Sequence, residues 1–257
     1  MVYQTLTYEK KKHVGILRMN KLVENRVDAI RLSDELAELC GEISRDDTIC
    51  MIVLTGSGDN PFPAESDYPG CLLEESDEPE RKTWSLTEPL ARLDMPILAA
   101  IHGDAIGRGL ELVLACDLRI ASETSYFGLT HIKTGLMPWD GGTQRLSRLV
   151  GRGKALEMIL TGELINAREA LRIGLVNKLI PVDQVTDVAL GMAAEMASKG
   201  PVALRYAKEA IYKGMDMTLE QGLRLEADLY LLLHTTRDRT EGIKAFQGKK
   251  TPKFEGK

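Results

Sequence analysis

Two continuous apolar runs, at residues 50–56 and 96–103, constrain the fold more than any other feature of the chain. They are CMIVLTG and PILAAIHG, and neither shows the polar alternation of a strand that faces water on one side. Strands of this kind are buried on both faces, which is typical of a parallel sheet covered by helices. We therefore expect both runs to form strands that are buried on both faces.

Helical and strand segments alternate around these two runs. Residues 3–20 predict two short strands joined by a charged turn. Residues 27–44 and 83–95 carry apolar positions near the 3.6-residue period of a helix. Residues 109–122 predict a short buried helix and then a strand. This alternation predicts an α/β fold built from stacked units.

The second half of the chain is mostly helical. Pro201 follows Gly200 and marks a helix start, because proline suits the first helical position. The apolar face of the last predicted helix packs either on its own core or on another subunit, and both alternatives stay open. Helices are predicted at residues 143–162, 165–174, 185–200, 201–214 and 219–234, the last with an apolar face of Leu223, Leu225, Leu229, Leu232 and Leu233. We expect a core over residues 1–195 and a C-terminal helical region over residues 196–257.

Composition and charge exclude several classes of function. The formal net charge of the 257-residue chain is −5, whereas binding to nucleic acid calls for a basic face. No apolar stretch approaches the roughly 20 residues that cross a bilayer, and the N-terminus lacks the features of a signal peptide. Cys40, Cys50, Cys71 and Cys116 show no metal-ligand spacing, so we expect buried reduced thiols, no metal site and a cytoplasmic protein.

A glycine-flanked turn at residues 107–111 is the strongest chemical signal in the sequence. It leads from a buried strand through Gly107, Arg108 and Gly109 into a helix that carries Glu111. A dinucleotide site is disfavoured because the third glycine and the later acidic ribose ligand are both missing. The alternative is an oxyanion hole, in which the Arg108 N–H binds an oxygen that gains charge during reaction.

Glu111 allows two interpretations. It lies one helical turn beyond Arg108, and burial among apolar residues suits a carboxyl group to proton transfer near neutral pH. The other interpretation is a capping glutamate, satisfied by the first-turn N–H groups of its own helix.

Three separated blocks resemble the enoyl-CoA hydratase/isomerase (crotonase) family. Residues 96–122 are similar to the family's glycine-triplet region, residues 135–181 to its G-x-x-P-x-x-G-G-T-Q-R-L block, and residues 236–254 to its C-terminal motif. The resemblance implies a crotonase fold of stacked ββα units, with an acyl-CoA site in the core and a helical C-terminal region that forms trimers, often paired into hexamers. It also implies fatty acid metabolism, an acyl-CoA thioester substrate and no further cofactor, since coenzyme A is part of that substrate.

The resemblance implies roles for individual residues. The Arg108 and Ser66 N–H groups fall on the two positions that hold the thioester oxygen. Glu65 stands where the family has glycine, which places a charge beside that site. Arg26 falls on the adenine side of the site, where it meets a phosphate or is only a solvated charge. Residues expected to contact the substrate are Ala64, Asp67, Tyr68, Gly107, Gly109 and Trp139.

The second acid/base position departs from the family. Hydratases of the family use two glutamates; Glu111 matches the first, and His131 occupies the place of the second. Histidine titrates near neutral pH and can transfer a proton. Asp140 is a further candidate acid, or else the N-cap of the helix that begins near Gly141.

Hydration of an unsaturated acyl-CoA, or its reverse, is the activity we expect, with Glu111, His131 and Asp140 as catalytic candidates. Movement of a double bond by a single base is the main alternative. Decarboxylation of a malonyl-type thioester is a third possibility. A homologue that binds acyl-CoA without catalysis is a fourth, because fold alone does not fix function. The sequence names neither the acyl group nor the direction of reaction.

Overall fold

The structure is a computed structural model that describes residues 3–20, 26–57 and 85–257. The predictions for Ala64, Glu65, Ser66, Asp67, Tyr68 and Cys71, and for the side chain of Arg26, lie outside the described residues.

Strands form a main sheet and a small second sheet. The strands are β1 Leu6–Lys11, β2 Val14–Met19, β3 Met51–Gly56, β4 Ile97–Ile101, β5 Ala105–Ile106, β6 Leu118–Ser122, β7 Tyr126–Gly128, β8 Ile165–Asn166 and β9 Lys178–Ile180. In the main sheet the order is β1-β2-β3-β4-β6-β9, and in the second it is β5-β7-β8. The β1–β2 and β7–β8 pairs are antiparallel, and the other pairs are parallel.

Helices cover the sheet and form the C-terminal part. They are α1 Arg26–Ile43, α2 Thr87–Ala91, α3 Arg108–Leu114, α4 Gly142–Val150, α5 Arg152–Thr161, α6 Ala167–Arg172, α7 Val185–Ala197, α8 Pro201–Gly214, α9 Leu219–Leu233 and α10 Arg237–Gln247, with 3₁₀ helices at Thr130–Thr134 and Val182–Gln184.

The predicted burial of both strands is confirmed. Every residue of β3 and β4 is buried, and their side chains alternate between two apolar clusters. Leu32 and Leu36 of α1 belong to the cluster on one face. Val185 and Ala189 of α7 belong to the cluster on the other face. The lack of polar alternation in both runs follows from this double burial.

The end of β4 leads to the glycine turn. The chain passes from β4 through β5 into α3, and the Gly107 N–H donates to the Gly128 carbonyl across 2.9 Å. Because β5 pairs with β7, the small sheet fixes the start of α3 relative to the 3₁₀ helix that follows β7.

Several elements differ from the sequence predictions. The single helix predicted over residues 143–162 is two helices, because Gly151 adopts a φ of 82° between α4 and α5. The helix predicted over residues 83–95 covers only Thr87–Ala91 within the described residues. Strands β5, β7, β8 and β9 and helix α10 were not predicted, and the four strands, of two or three residues each, are too short to carry a periodic signal.

The C-terminal helices pack on one another and leave much apolar surface uncovered. Pro201 is the first residue of α8, as predicted. Of the apolar face predicted for the last helix, Leu229 is buried, whereas Leu223 and Leu232 are about half exposed at 55% and 49%. Leu225 and Leu233 are partly buried, so packing within the chain covers only part of this face. The division into residues 1–195 and 196–257 stays a prediction.

Among the described residues, no helix has both the length and the apolar character that crossing a membrane requires.

Candidate active site

The glycine turn places its unusual backbone conformation at Gly107. Gly107 has φ 55° and ψ −125°, whereas Arg108 is the first residue of α3 and has no positive φ. An arginine therefore fits the middle position of the turn without backbone strain. The first amides of a helix have no acceptor within the helix, which agrees with the predicted role of the Arg108 N–H as an oxyanion donor.

Glu111 lies in the first turn of α3 with a fully buried side chain. Its Oε1 accepts hydrogen bonds from the N–H groups of Asp140 at 2.9 Å and Gly142 at 3.0 Å. The capping interpretation is therefore wrong, because the amides that hold the carboxylate belong to residues 140–142 and not to α3.

His131 faces the other oxygen of Glu111. Its Nε2 lies 3.6 Å from Glu111 Oε2, and both side chains are buried. This distance is too long for a direct hydrogen bond. Glu111 Oε2 accepts no hydrogen bond from the residues that the structure describes. One oxygen of the carboxylate is thus held in place, and the other points toward an imidazole.

The Asp140 carboxylate contacts the start of α2. It accepts hydrogen bonds from the N–H groups of Leu86 at 2.8 Å and Thr87 at 3.2 Å, and from the hydroxyls of Ser85 at 2.5 Å and Thr87 at 2.8 Å. The predicted N-cap role of Asp140 for the following helix is wrong, because Gly141 is the N-cap of α4 and no side chain caps it. The structure brings the Asp140 main chain to Glu111, and not its carboxylate.

The side chain of Arg108 packs on Trp139. Its guanidinium carbon lies 5.2 Å from the centroid of the Trp139 ring, within range of a cation–π interaction. Its Nη2 lies 3.9 Å from Asp140 Oδ2. Trp139 is 42% exposed, so part of this residue is open to solvent. The sequence predicted a role only for the Arg108 backbone and missed this side-chain contact.

Residues Ser85, Thr87 and Arg145 belong to the site region but were not predicted. The Arg145 Nη1 donates to Thr87 Oγ1 at 2.9 Å and to the Asp140 carbonyl at 3.1 Å. Ser85 and Thr87 lie more than 50 positions before Asp140 in sequence, so no local spacing indicates their contact. Gly142 could have been identified from the sequence, because residues 141–142 are paired glycines.

The described cysteines are free and buried, as predicted for Cys40, Cys50 and Cys116. Burial raises the pKa of the Cys40 thiol and of the Cys116 thiol to about 12. Within residues 3–20, 26–57 and 85–257, no cluster of three His, Cys, Asp or Glu side chains is placed to bind a metal ion.

Comparison with known proteins identifies the class to which this fold and site belong. The family model for enoyl-CoA hydratase/isomerase matches residues 9–257. The chain is 37% identical to the 2,3-dehydroadipyl-CoA hydratase of Escherichia coli over 257 residues, which cover 98% of this chain and 99% of the relative. It is 34% identical to the crotonyl-CoA hydratase of Syntrophomonas wolfei over 260 residues, which cover 99% of each.

A solved structure agrees with these relatives. The enoyl-CoA hydratase from Bacillus anthracis superposes with a TM-score of 0.89 at 36% identity, covering 99% of this chain and 100% of that one. The chain belongs to the enoyl-CoA hydratase/isomerase family, and its fold is the crotonase fold.

Proposed function

We propose that the protein is an enoyl-CoA hydratase that adds water to an unsaturated acyl-CoA thioester or removes it. The observation that carries this proposal is the arrangement of Glu111. Two main-chain amides hold its Oε1, and its Oε2 faces His131 Nε2 at 3.6 Å. A positioned carboxylate beside a second proton-transfer group is what the addition of water requires.

The proposed reaction uses Glu111 and His131 as the two proton-transfer groups. Glu111 Oε2 takes a proton from water as the water oxygen forms a bond to the β-carbon of the acyl chain. The electrons of the double bond move toward the thioester oxygen, where the N–H groups of Arg108 and Ser66 stabilise the enolate. The imidazolium of His131 protonates the α-carbon, and Glu111 then returns its proton to His131.

We also propose roles for the residues around the thioester and a class for the enzyme. Gly107 and Gly109 let the chain approach the thioester closely, and Trp139 offers its exposed part to the acyl group. The enzyme is a cytoplasmic lyase that assembles as a homo-oligomer, a trimer or hexamer, and needs no cofactor beyond the coenzyme A of its substrate. The further substrate contacts that we propose are Ala64, Asp67 and Tyr68.

Isomerisation of a double bond is the second candidate function. It is favoured by one observation: the Asp140 carboxylate binds the start of α2 and does not face Glu111. Within the described residues, Glu111 therefore supplies the one carboxylate at the acid/base position. One base that takes a proton from one carbon and returns it to another is enough for isomerisation. A site that binds acyl-CoA without catalysis is opposed by the same held carboxylate.

A substrate panel tests the proposed function. The purified protein is incubated with linear, branched and cyclic unsaturated acyl-CoA thioesters, followed by mass spectrometry and ultraviolet absorbance. Gain of one water identifies a hydratase and its acyl class. An unchanged mass with a shifted spectrum identifies an isomerase. If thioesters bind but none of them changes, the enzyme proposal is wrong.

A further inference from the structure

We propose that Asp140 is a positioning residue, whose carboxylate fixes residues 140–142 so that two main-chain amides hold Glu111. This inference rests on the proposed function, in which Glu111 transfers the proton. It assigns a role to Ser85, Thr87 and Arg145, whose hydrogen bonds described here go to Asp140 and to one another and not to Glu111.

The Asp140 carboxylate attaches residue 140 to the start of α2. The carboxylate is buried at 5% exposure and accepts hydrogen bonds from two main-chain amides and the Ser85 hydroxyl, and its Oδ1 also lies 2.8 Å from the Thr87 hydroxyl. A buried carboxylate is costly unless such partners compensate for the lost water. With both oxygens engaged, proton transfer to substrate would break the contacts that hold residue 140 in place.

A further set of contacts fixes the main chain of Asp140. Its carbonyl oxygen accepts from Thr87 Oγ1 at 2.9 Å and from Arg145 Nη1 at 3.1 Å. The Thr87 hydroxyl has one proton, so it donates to the carbonyl or the carboxylate of Asp140 while it accepts from Arg145 at 2.9 Å. Residue 140 is thus held through its side chain and its carbonyl together.

The main chain of residues 140–142 contacts Glu111. The Asp140 N–H and the Gly142 N–H donate to the same atom, Glu111 Oε1. Gly141 lies between them in the left-handed region, with φ 95°, which aims both amides to one side. Among the described residues these two amides are the hydrogen-bond donors to the carboxylate, so it moves when residues 140–142 move. A displacement of about 1 Å can lower a rate about 10²-fold.

Two variants of Thr87 provide a direct test. Thr87→Val keeps the shape of the side chain and removes the hydroxyl, whereas Thr87→Ser keeps the hydroxyl. We expect Thr87→Val to lower kcat about 10-fold or more, with KM nearly unchanged, and Thr87→Ser to keep most of the activity. Thr5→Val is the matched control, because the buried Thr5 hydroxyl, which lies just before β1, donates to the carboxylate of Glu35 on α1 at 2.6 Å. It should lower stability and leave kcat unchanged.

The pH dependence of Asp140→Asn separates positioning from direct catalysis. Positioning predicts a lower kcat, a similar KM and an unchanged shape of the pH profile. Loss of one limb of the profile would show that the Asp140 carboxyl group itself transfers a proton, and the inference would fail. A kcat equal to wild type in both Asp140→Asn and Thr87→Val would also contradict it.

A stability measurement keeps this inference separate from the proposed function. If the wild-type protein converts no thioester, the proposed function fails, and the contact is then tested by thermal unfolding of Asp140→Asn, Glu111→Gln and the double variant. Non-additive shifts of the unfolding midpoint are expected for residues coupled through one contact. Additive shifts would overturn the inference.

Discussion

The residues around Glu111 determine where its carboxylate lies. Gly107 takes the positive φ that the turn needs, which leaves Arg108 in a helical conformation with its amide in the first turn. Burial of Glu111 excludes bulk water from its carboxylate, and the amides of residues 140 and 142 orient it. The geometry therefore supports proton transfer at a defined position.

Substitution of Gly142 tests how closely the carboxylate is held. A Cβ at residue 142 would lie 2.8 Å from Glu111 Oε1 and 2.7 Å from Pro138 Cβ, closer than such atoms approach. We expect Gly142→Ala to lower kcat about 10- to 100-fold by displacing Glu111, measured by steady-state kinetics. Gly153→Ala in α5 is the control, because a Cβ there meets no atom within 4 Å. Equal activity of the two variants would show that Glu111 tolerates displacement.

Thiol reactivity tests the burial of the cysteines. Since burial raises the pKa of Cys40 and Cys116 to about 12, both stay protonated in the folded protein at pH 8. We expect no alkylation of either thiol in the native state and full alkylation after denaturation, as measured by peptide mass spectrometry. Rapid native labelling of Cys116 would mean that the core around α3 opens.

At the scale of elements, the sequence predicts those that carry a long periodic signal. The doubly buried β3 and β4 follow directly from two apolar runs, and α1 follows from its period. Strands β8 and β9 have two and three residues, so tertiary pairing and not local pattern creates them. Gly151 was visible in the sequence, but only its φ of 82° shows that it separates two helices.

A lysine on α8 anchors the C-terminal helices to the sheet. Lys208 Nζ donates to Asp117 Oδ2 at 2.9 Å and to the Met95 carbonyl at 3.0 Å, and Asp117 Oδ2 also accepts from the Ile97 N–H. Burial and the neighbouring Asp117 raise the pKa of Tyr212. This group of charges ties α8 to the start of β4.

Removal of the Lys208 ammonium should destabilise the fold. Lys208→Met leaves Asp117 partly buried without its cation, and we expect a loss of about 2 kcal/mol in the free energy of unfolding. Lys199→Met is the control, because the Lys199–Glu195 pair is exposed and such pairs contribute little. Urea unfolding measures both, and equal effects would show that the Lys208 contact does not anchor α8.

At the scale of the whole molecule, the C-terminal helices expose more apolar surface than a single chain needs. Leu219, Leu231 and Phe246 are 80%, 62% and 86% exposed, beside the half-exposed Leu223. Large exposed apolar patches are typical of protein–protein contacts. This surface supports the prediction of a homo-oligomer.

A charge on α9 tests that prediction. We expect light scattering to give the mass of a trimer or hexamer for the wild type and a lower mass for Leu223→Glu, since a buried unpaired carboxylate opposes association. Leu223→Met keeps the apolar volume and should keep the wild-type mass. A monomeric wild type would contradict the prediction.

The site was predictable where its residues lie close in sequence or fall on a family position. Gly107, Arg108 and Glu111 come from one short motif, and His131 from its place in a family pattern. The attachment of Asp140 to Thr87 joins residues 53 positions apart, so only the folded chain brings them together. For the same reason the sequence predicted two alternative roles for Asp140, a catalytic acid or an N-cap. Its contacts with α2 are typical of neither role.

The rate of hydration by Glu111→Gln, measured with the best thioester of the panel, tests directly whether Glu111 activates the water. Glutamine keeps the shape of the side chain but cannot take a proton, so we predict a loss of about 10²- to 10⁴-fold in kcat with the fold retained. Glu123→Gln, an exposed glutamate outside the site, should leave the rate unchanged. Hydration by Glu111→Gln at the wild-type rate would show that another group activates the water.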